Sequence, residues 1–174
     1  MALELALEAM PTYAPAILSM GSVLYQLGGV ADGRRLFQSL LSLPKNTTDI
    51  CQTIDEAGVF LTKLGAYQDG MALYRAALKR YPGVSALFQG LGYCAGDAGL
   101  HEQAVSAHER ALELEPDNQK LVNDLEWTLL DLEAGHILEA SKTLERAVSM
   151  DPSDRLAQEN LRVCRRPAAR TKLG

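Results

Sequence analysis

Residues that close helical segments recur along this chain at a fixed spacing of 34 positions. Ala77 and Pro82 close one segment, and Ala111 and Pro116 close the next in the same order. A fixed period of this length is typical of arrays of helix pairs, in which each pair buries its apolar face only against its neighbours. The recurrence therefore predicts an all-helical array and excludes a sheet-based fold.

The clearest unit covers residues 85–118 and contains two helical patterns separated by Gly99. The first pattern places Leu87 and Leu91 on one face, and the second repeats alanine at steps of three and four residues. Proline cannot continue a helix, so Pro116 ends the unit. A glycine in the corresponding turn of the preceding unit completes the match between the two units.

This pattern of residues resembles the tetratricopeptide repeat family. The signature positions of the clearest unit are filled by Phe88, Leu91, Gly92, Ala104, Ala111 and Pro116, with His108 where the family usually has an aromatic residue. Those of the preceding unit are filled by Ile54, Ala57, Gly58, Leu61, Gly70, Tyr74, Ala77 and Pro82. The resemblance implies an all-α fold: an α-solenoid of antiparallel helix pairs, wound into a right-handed superhelix of about ten helices.

Applied to the whole chain, the resemblance predicts a repeat array over residues 1–164 and a basic, flexible tail over residues 165–174. The predicted parts of the array are the second helix of a partial repeat at 2–11, repeats at 14–47, 51–84, 85–118 and 119–152, and a closing helix at 153–164. The repeat at 119–152 departs from the pattern in its first half, which lacks the signature glycine. We expect a longer helix there, kinked or bulged, followed by a turn at Gly135 and a second helix that ends before Pro152.

Small residues recur at the positions where helices should approach one another. Gly58 and Gly92 would let the second helix of a pair lie close to the first, and Ala77 and Ala111 would let one pair nest against the next. A glycine inside a helix costs about 1 kcal/mol relative to alanine. Its use at a recurring position therefore predicts a compensating close contact.

Composition and motifs exclude several functions. Residues 1–161 hold all 22 acidic side chains and 12 of the 17 basic ones, a balance that disfavours binding to a phosphate backbone. The three cysteines form no CxxC pair, the three histidines have no metal-ligand spacing, and no nucleotide or nucleophile motif occurs. No apolar run approaches the roughly 18 residues that span a bilayer. We therefore expect no catalytic residues, no metal, no cofactor and no membrane span, and a cytoplasmic, non-enzymatic protein.

The resemblance implies a binding groove on the concave side, lined by the first helix of each pair. The residues expected to bind a partner in this groove are Ser22, Gln52, Asp55, Glu56, Gln89, Tyr93, Asn123 and Trp127. The wider inner face adds Leu18, Ser19, Tyr25, Val59, Lys63, Asp97, Lys120, Asp124 and Asp131. Acids outnumber bases there, and the cluster of Lys, Asn and Arg with which some family members bind acidic peptides is missing. The expected partner is therefore neutral, apolar or mildly basic.

The sequence leaves three functions open. The first is a protein–protein interaction scaffold or adaptor that binds a protein or peptide segment in the groove. The second is a recruiting or targeting arm of a larger enzyme, such as a transferase. The third is a self-assembling scaffold that forms homo-oligomers through an uncapped amino-terminal end. Two readings also remain for Trp127, which either contacts a partner or packs with Leu130 and Ala134 in a second apolar stripe.

Overall fold

The computed structural model describes residues 12–165, apart from the side chains of Glu139 and Ala147, and this part of the chain is helical without strands. Its helices are α1 (Ala14–Gln26), α2 (Val30–Leu40), α3 (Ile50–Lys63), α4 (Tyr67–Arg80), α5 (Ser85–Asp97), α6 (His101–Leu114), α7 (Gln119–Met150) and α8 (Arg155–Cys164). The predicted all-α class and the antiparallel helix pairs are confirmed. The predicted helix at 2–11 and all but the first residue of the predicted tail lie outside the described residues.

The chain divides into two compact units, one ending at Thr128 and the other beginning at Leu129. In the first unit, α1 pairs with α2, α3 with α4 and α5 with α6. Tight turns join the helices of each pair, and Gly65 and Gly99 take the left-handed backbone there, with φ of 78° and 74°. Glycine adopts this conformation without a steric penalty, which explains why it recurs at the turn.

The core of the first unit is built where large side chains insert against glycines. Tyr74 of α4 is fully buried between Gly58 of α3 and Gly90 of α5, where an added Cβ at either glycine would lie closer than 3.0 Å to its ring. His108 of α6 packs in the same way on Gly92 of α5. Close approach of the second helix to the first therefore compensates for the cost of glycine in a helix, as the sequence predicts.

The same arrangement recurs at the first helix pair. Phe37 packs against Gly21, and Tyr25 stacks on Phe37 with ring centroids 5.4 Å apart. Phe60 of α3 meets both rings edge to face at 6.2 and 6.0 Å, which extends this aromatic cluster into the second pair. Burial of these rings explains how a chain with only 6% aromatic residues forms a continuous core.

The repeat expected at 119–152 has one helix where the sequence predicts two. Helix α7 continues through Gly135. Gly135 is not among the described glycines that have a left-handed backbone conformation. A single glycine costs a helix about 1 kcal/mol, too little to end it among strong helix formers such as the surrounding leucine, glutamate and alanine residues. The structure therefore describes eight helices instead of about ten. Two predicted helices form the single helix α7, and the helix predicted at 2–11 lies outside the described residues.

The second unit consists of the remainder of α7 and of α8. Asp154 caps α8, since its carboxylate accepts hydrogen bonds from the backbone N–H groups of Leu156 and Ala157 at 2.9 and 3.0 Å. Arg165 pairs with Glu145 of α7 at 2.8 Å. None of the described helices in the chain is long and apolar enough to cross a membrane.

Candidate functional site

The first helices of the three pairs build one continuous face of the first unit. Helix α3 packs directly on α1 and on α5, whereas the second helices α2, α4 and α6 approach one another less closely. This unit therefore curves toward its first helices, and their exposed side chains form the inner face. The start of α7, from Gln119 to Thr128, extends this face beyond α5, because Gln89 of α5 donates a hydrogen bond to Asp124 of α7.

Asp55 joins the inner face to the core. Its carboxylate and its backbone carbonyl accept hydrogen bonds from the Tyr74 hydroxyl at 2.9 and 3.2 Å. Burial raises the pKa of Asp55, while the Tyr74 hydrogen bond and the nearby Lys120 act in the opposite direction. Burial and the Asp55 charge together raise the pKa of Tyr74. Asp55 therefore positions the Tyr74 ring, and Lys120 of α7 lies close enough to Asp55 of α3 to lower the pKa of that carboxyl.

Asp124 accepts two side-chain hydrogen bonds at the α7 end of the inner face. Besides the bond from Gln89, it receives a hydrogen bond from the Tyr93 hydroxyl, and burial together with this carboxylate raises the pKa of Tyr93. The Tyr93 ring meets His108 edge to face, with centroids 5.3 Å apart. Gln89, Tyr93 and Asp124 thus form one cluster that joins α5 to α7, and Tyr93 stays partly exposed to solvent.

His108 packs against this cluster. The Thr128 hydroxyl donates its only proton to the Asp124 carbonyl at 2.8 Å, so at 2.9 Å it must accept from Nδ1 of His108. The neutral ring therefore carries its proton on Nδ1, and Nε2 is buried without a hydrogen-bond partner. Burial lowers the pKa of His108, against a smaller opposing effect of the Asp124 charge. His108 packs as the aromatic residue of its repeat would.

The remaining predicted site residues differ in what they offer a partner. Trp127 is 70% exposed and Tyr93 is 42% exposed, so the packing role considered for Trp127 is wrong. Gln52 and Glu56 are exposed and bonded to each other at 2.9 Å, and Asn123 is exposed and accepts from Gln119 at 3.1 Å.

At the start of the array, Ser22 is half-buried and donates to the Leu18 carbonyl of its own helix at 2.9 Å. Among the bonds of the described residues, Ser22 is not joined to the other predicted site residues. Tyr25 was expected on the inner face, and that expectation is wrong. Its ring is buried, and its hydroxyl donates to Asp69 of α4 at 2.9 Å.

A cluster of charged residues near Tyr25 was not predicted from the sequence. Arg34 binds the Asp69 carboxylate at 2.8 Å through Nε, beside the Tyr25 hydroxyl. Burial, then the Asp69 contact, raises the pKa of Tyr25 to about 12. A cavity of about 20 Å³ next to this cluster has room for a single water molecule. The cluster joins α1, α2 and α4, which indicates a structural role.

The described residues contain no group of three His, Cys, Asp or Glu side chains that could hold a metal ion. Cys51 and Cys94 are free thiols, and burial raises the pKa of both. The inner face therefore presents aromatic and amide side chains with a few exposed charges, a chemistry suited to contact with another chain.

Comparison with known proteins agrees with this geometry. Residues 86–118 match the family model of the tetratricopeptide repeat. The protein CTR9 homolog of Arabidopsis thaliana is 27% identical over 128 residues, which cover 72% of this chain and 11% of the relative. The chain thus spans about a tenth of the length of that curated relative.

Two solved structures show the same fold. A crystal structure of MamA protein has a TM-score of 0.54 at 17% identity, over 85% of this chain and 78% of its own. MamA from residue 41 onward, from Desulfovibrio magneticus RS-1, has a TM-score of 0.50 at 17% identity, over 93% of this chain and 79% of its own. At these identities the likeness concerns the fold alone.

An array of helix pairs with glycine turns, inserted aromatic residues and a recognised repeat at 86–118 defines a class of protein. Residues 86–118 match one tetratricopeptide repeat, and the fold of the array is that of tetratricopeptide repeat structures. Arrays of this class serve in general as scaffolds for protein–protein interaction.

Proposed function

We propose that this chain is an adaptor that binds a protein or peptide segment on the inner face of its first unit. The observation that carries the proposal is the exposure of Trp127 and Tyr93 on that face. Aromatic side chains supply a large contact area at a small entropic cost and dominate binding energies at protein interfaces. A residue that is 70% exposed on a folded array, as Trp127 is, gains most by burial against a partner.

The charges of the face favour a neutral, apolar or mildly basic segment. Glu56 and Asp97 are exposed, whereas Asp55 and Asp124 are held by tyrosine hydroxyls and the Gln89 amide. Lys63 and Lys120 are the exposed cations of the face in the described part of the first unit. An acidic peptide would meet unfavourable charge without the bidentate donors that recognise carboxylates.

The proposal is tested with peptides of controlled charge. A displayed library of extended peptides, spanning acidic to basic sequences with and without apolar residues, is selected on the unaltered chain. We expect enrichment of apolar neutral or basic peptides. Trp127→Ala should weaken the selected peptides by about tenfold or more, since an anchor residue contributes about 2 kcal/mol. Its matched control is Leu27→Ala, an exposed apolar residue in the turn after α1.

A second variant tests the charge preference. Glu56→Lys should shift selection toward acidic peptides, and Asp32→Lys on α2 makes the same change of charge away from the inner face. Glu56 is preferred to Asp55 for this test, because substitution of Asp55 would also release Tyr74. Enrichment of acidic peptides by the unaltered chain, or equal affinity in the Trp127 and Leu27 variants, would contradict the proposal.

A further inference from the structure

The second unit exposes a continuous apolar stripe on α7. Leu130, Ile137 and Leu138 are between 41% and 58% exposed, and Ala134 among them is exposed as well. Because successive residues of a helix are rotated by about 100°, these four side chains fall within one sector about 100° wide. We call them the α7 stripe. An apolar sector of this width is typical of a helix face that packs on another element, so its exposure indicates an interaction surface.

The spacing of the α7 stripe matches a helix as its partner. Leu130, Ala134 and Ile137 follow one another at steps of four and three residues, the spacing at which the apolar side chains of paired helices interlock. Helices that bind in this way are anchored at positions i, i+4 and i+7. An extended segment repeats its side chains with a period of two and cannot keep this register.

Farther along, the same face of α7 is covered by a helix of the second unit. Leu144 and Val148 lie on the face of Ile137, and both are half-buried. A turn at 151–154 joins α7 to α8, and Arg165 at the end of α8 pairs with Glu145 at 2.8 Å. Helix α8 therefore runs back along the later part of α7. Among the helices described in the second unit, none covers the α7 stripe.

Acidic side chains border the α7 stripe on both sides. Around the helix, Asp131 lies next to Leu138 on one side and Glu133 lies next to Ile137 on the other, and both acids are exposed. Such positions flank the seam of a helix pair, where opposite charges select the partner. A second copy of this chain would bring acids to borders that already carry acids, which disfavours self-pairing through the stripe.

We propose that the α7 stripe binds an amphipathic α-helix of another protein, with apolar residues at steps of three and four and basic residues along both borders of its apolar face. Burial of the apolar seam supplies the affinity, and the charges of Asp131 and Glu133 select basic helices over acidic ones. This surface belongs to the second unit, and the proposal does not rest on binding of a segment to the inner face.

The probe for this surface is a synthetic helix of three heptads, with leucine at the two seam positions and lysine at the flanking positions. It is labelled for anisotropy and used below the concentration at which it self-associates. A second peptide has glutamate in place of lysine, and a third has the composition of the lysine peptide without the heptad order. The full chain should bind the lysine peptide about tenfold or more tightly than either of the others. No binding of the lysine peptide, or affinity equal to that of either control peptide, would overturn the proposal.

Variants of the chain then locate the bound helix. Leu130→Gln with Ile137→Gln should weaken the lysine peptide by about tenfold or more, because two apolar anchors are lost. The matched control is Met150→Gln with Leu156→Gln, which changes two exposed apolar residues of the same unit outside the α7 stripe. Circular dichroism should show the same helical content in both variants, since all four residues are exposed. Equal affinity of the two variants for the lysine peptide would overturn the assignment.

Charge reversal tests the borders of the stripe. Asp131→Lys with Glu133→Lys should reverse the preference, so that the glutamate peptide binds more tightly than the lysine peptide. Asp32→Lys with Asp117→Lys makes the same change of net charge at exposed positions of the first unit and should leave the preference as it is. A preference that is unchanged by the reversal at Asp131 and Glu133 would overturn the charge selection.

Two measurements separate this helix from other occupants and sites. Light scattering should give the same mass for the unaltered chain and for the Leu130→Gln, Ile137→Gln variant. A larger mass that this variant reduces to one chain would show that a second copy occupies the stripe, against the proposal. Tyr93→Ala on the inner face should leave the affinity for the lysine peptide unchanged, and a loss of affinity there would place the peptide on the inner face instead.

Discussion

Replacing Gly90 by alanine should destabilise the array, although alanine is the better helix former. An alanine Cβ at Gly90 would overlap the ring of Tyr74, whose nearest atoms would lie closer than 3.0 Å. The ring cannot move away, because Gly58 of α3 contacts its other side as closely. Its hydroxyl is also held by Asp55, at 2.9 Å.

The magnitude follows from two opposing effects. Overpacking a rigid core site costs about 1–3 kcal/mol, and the confinement of Tyr74 places Gly90→Ala at the upper end. The higher helix propensity of alanine offsets about 1 kcal/mol of this cost, so the free energy of unfolding should fall by about 2 kcal/mol. Gly96 of the same helix is the matched control, because its added Cβ would meet only the Ala104 methyl, at 3.9 Å. Gly96→Ala should therefore stabilise the chain by up to about 1 kcal/mol.

The assay is urea unfolding followed by circular dichroism. With a slope of about 1–3 kcal/mol per molar urea, the two alanine variants should differ in midpoint by about 1 M or more, in opposite directions from the unaltered chain. A background of Tyr74→Leu should remove most of the Gly90→Ala penalty, since the overlapping ring is gone. Equal midpoints for the Gly90 and Gly96 variants would refute the packing argument.

Three further changes test other parts of the structure. Tyr74→Phe leaves the half-buried Asp55 without its donor and should cost about 1–3 kcal/mol in urea unfolding, whereas Tyr67→Phe should cost little. Burial lowers the pKa of His108, so the stability from its neutral ring is complete above the unfolded pKa of about 6.5 and is lost as the pH falls below it. His108→Phe should therefore flatten the decline in urea midpoint between pH 7 and about 5, and an unchanged slope would contradict this assignment. Asp154→Ala removes the cap of α8 and should cost about 1 kcal/mol, seen as faster hydrogen exchange of the first amides of that helix.

Packing within each repeat was predictable because it depends on residues close together in the pattern. Gly58 and Gly92 indicate close helix approach from the sequence alone, and the structure places Tyr74 and His108 against them. The period also places the first helices on one face, since each repeat has the same internal geometry. These features depend on steric fit at recurring positions.

Contacts between repeats could not be predicted in the same way. Tyr25 bonds Asp69 and Gln89 bonds Asp124, pairs that are 44 and 35 residues apart, and a repeat pattern does not specify such side-chain partners. The continuity of α7 was missed for an energetic reason. One glycine changes helix stability by only about 1 kcal/mol, so Gly135 is compatible with a turn or with an unbroken helix.

The most direct test of binding on the inner face uses Trp127, which is the only tryptophan of the chain. Its intrinsic fluorescence is recorded while a peptide selected on the unaltered chain and free of tryptophan is added, and binding is measured in parallel by anisotropy of a labelled copy of that peptide. Because Trp127 is 70% exposed, burial against a bound segment should shift its emission to shorter wavelength along the same binding curve. Saturation of the anisotropy signal with unchanged tryptophan emission would place the bound peptide elsewhere and contradict the account.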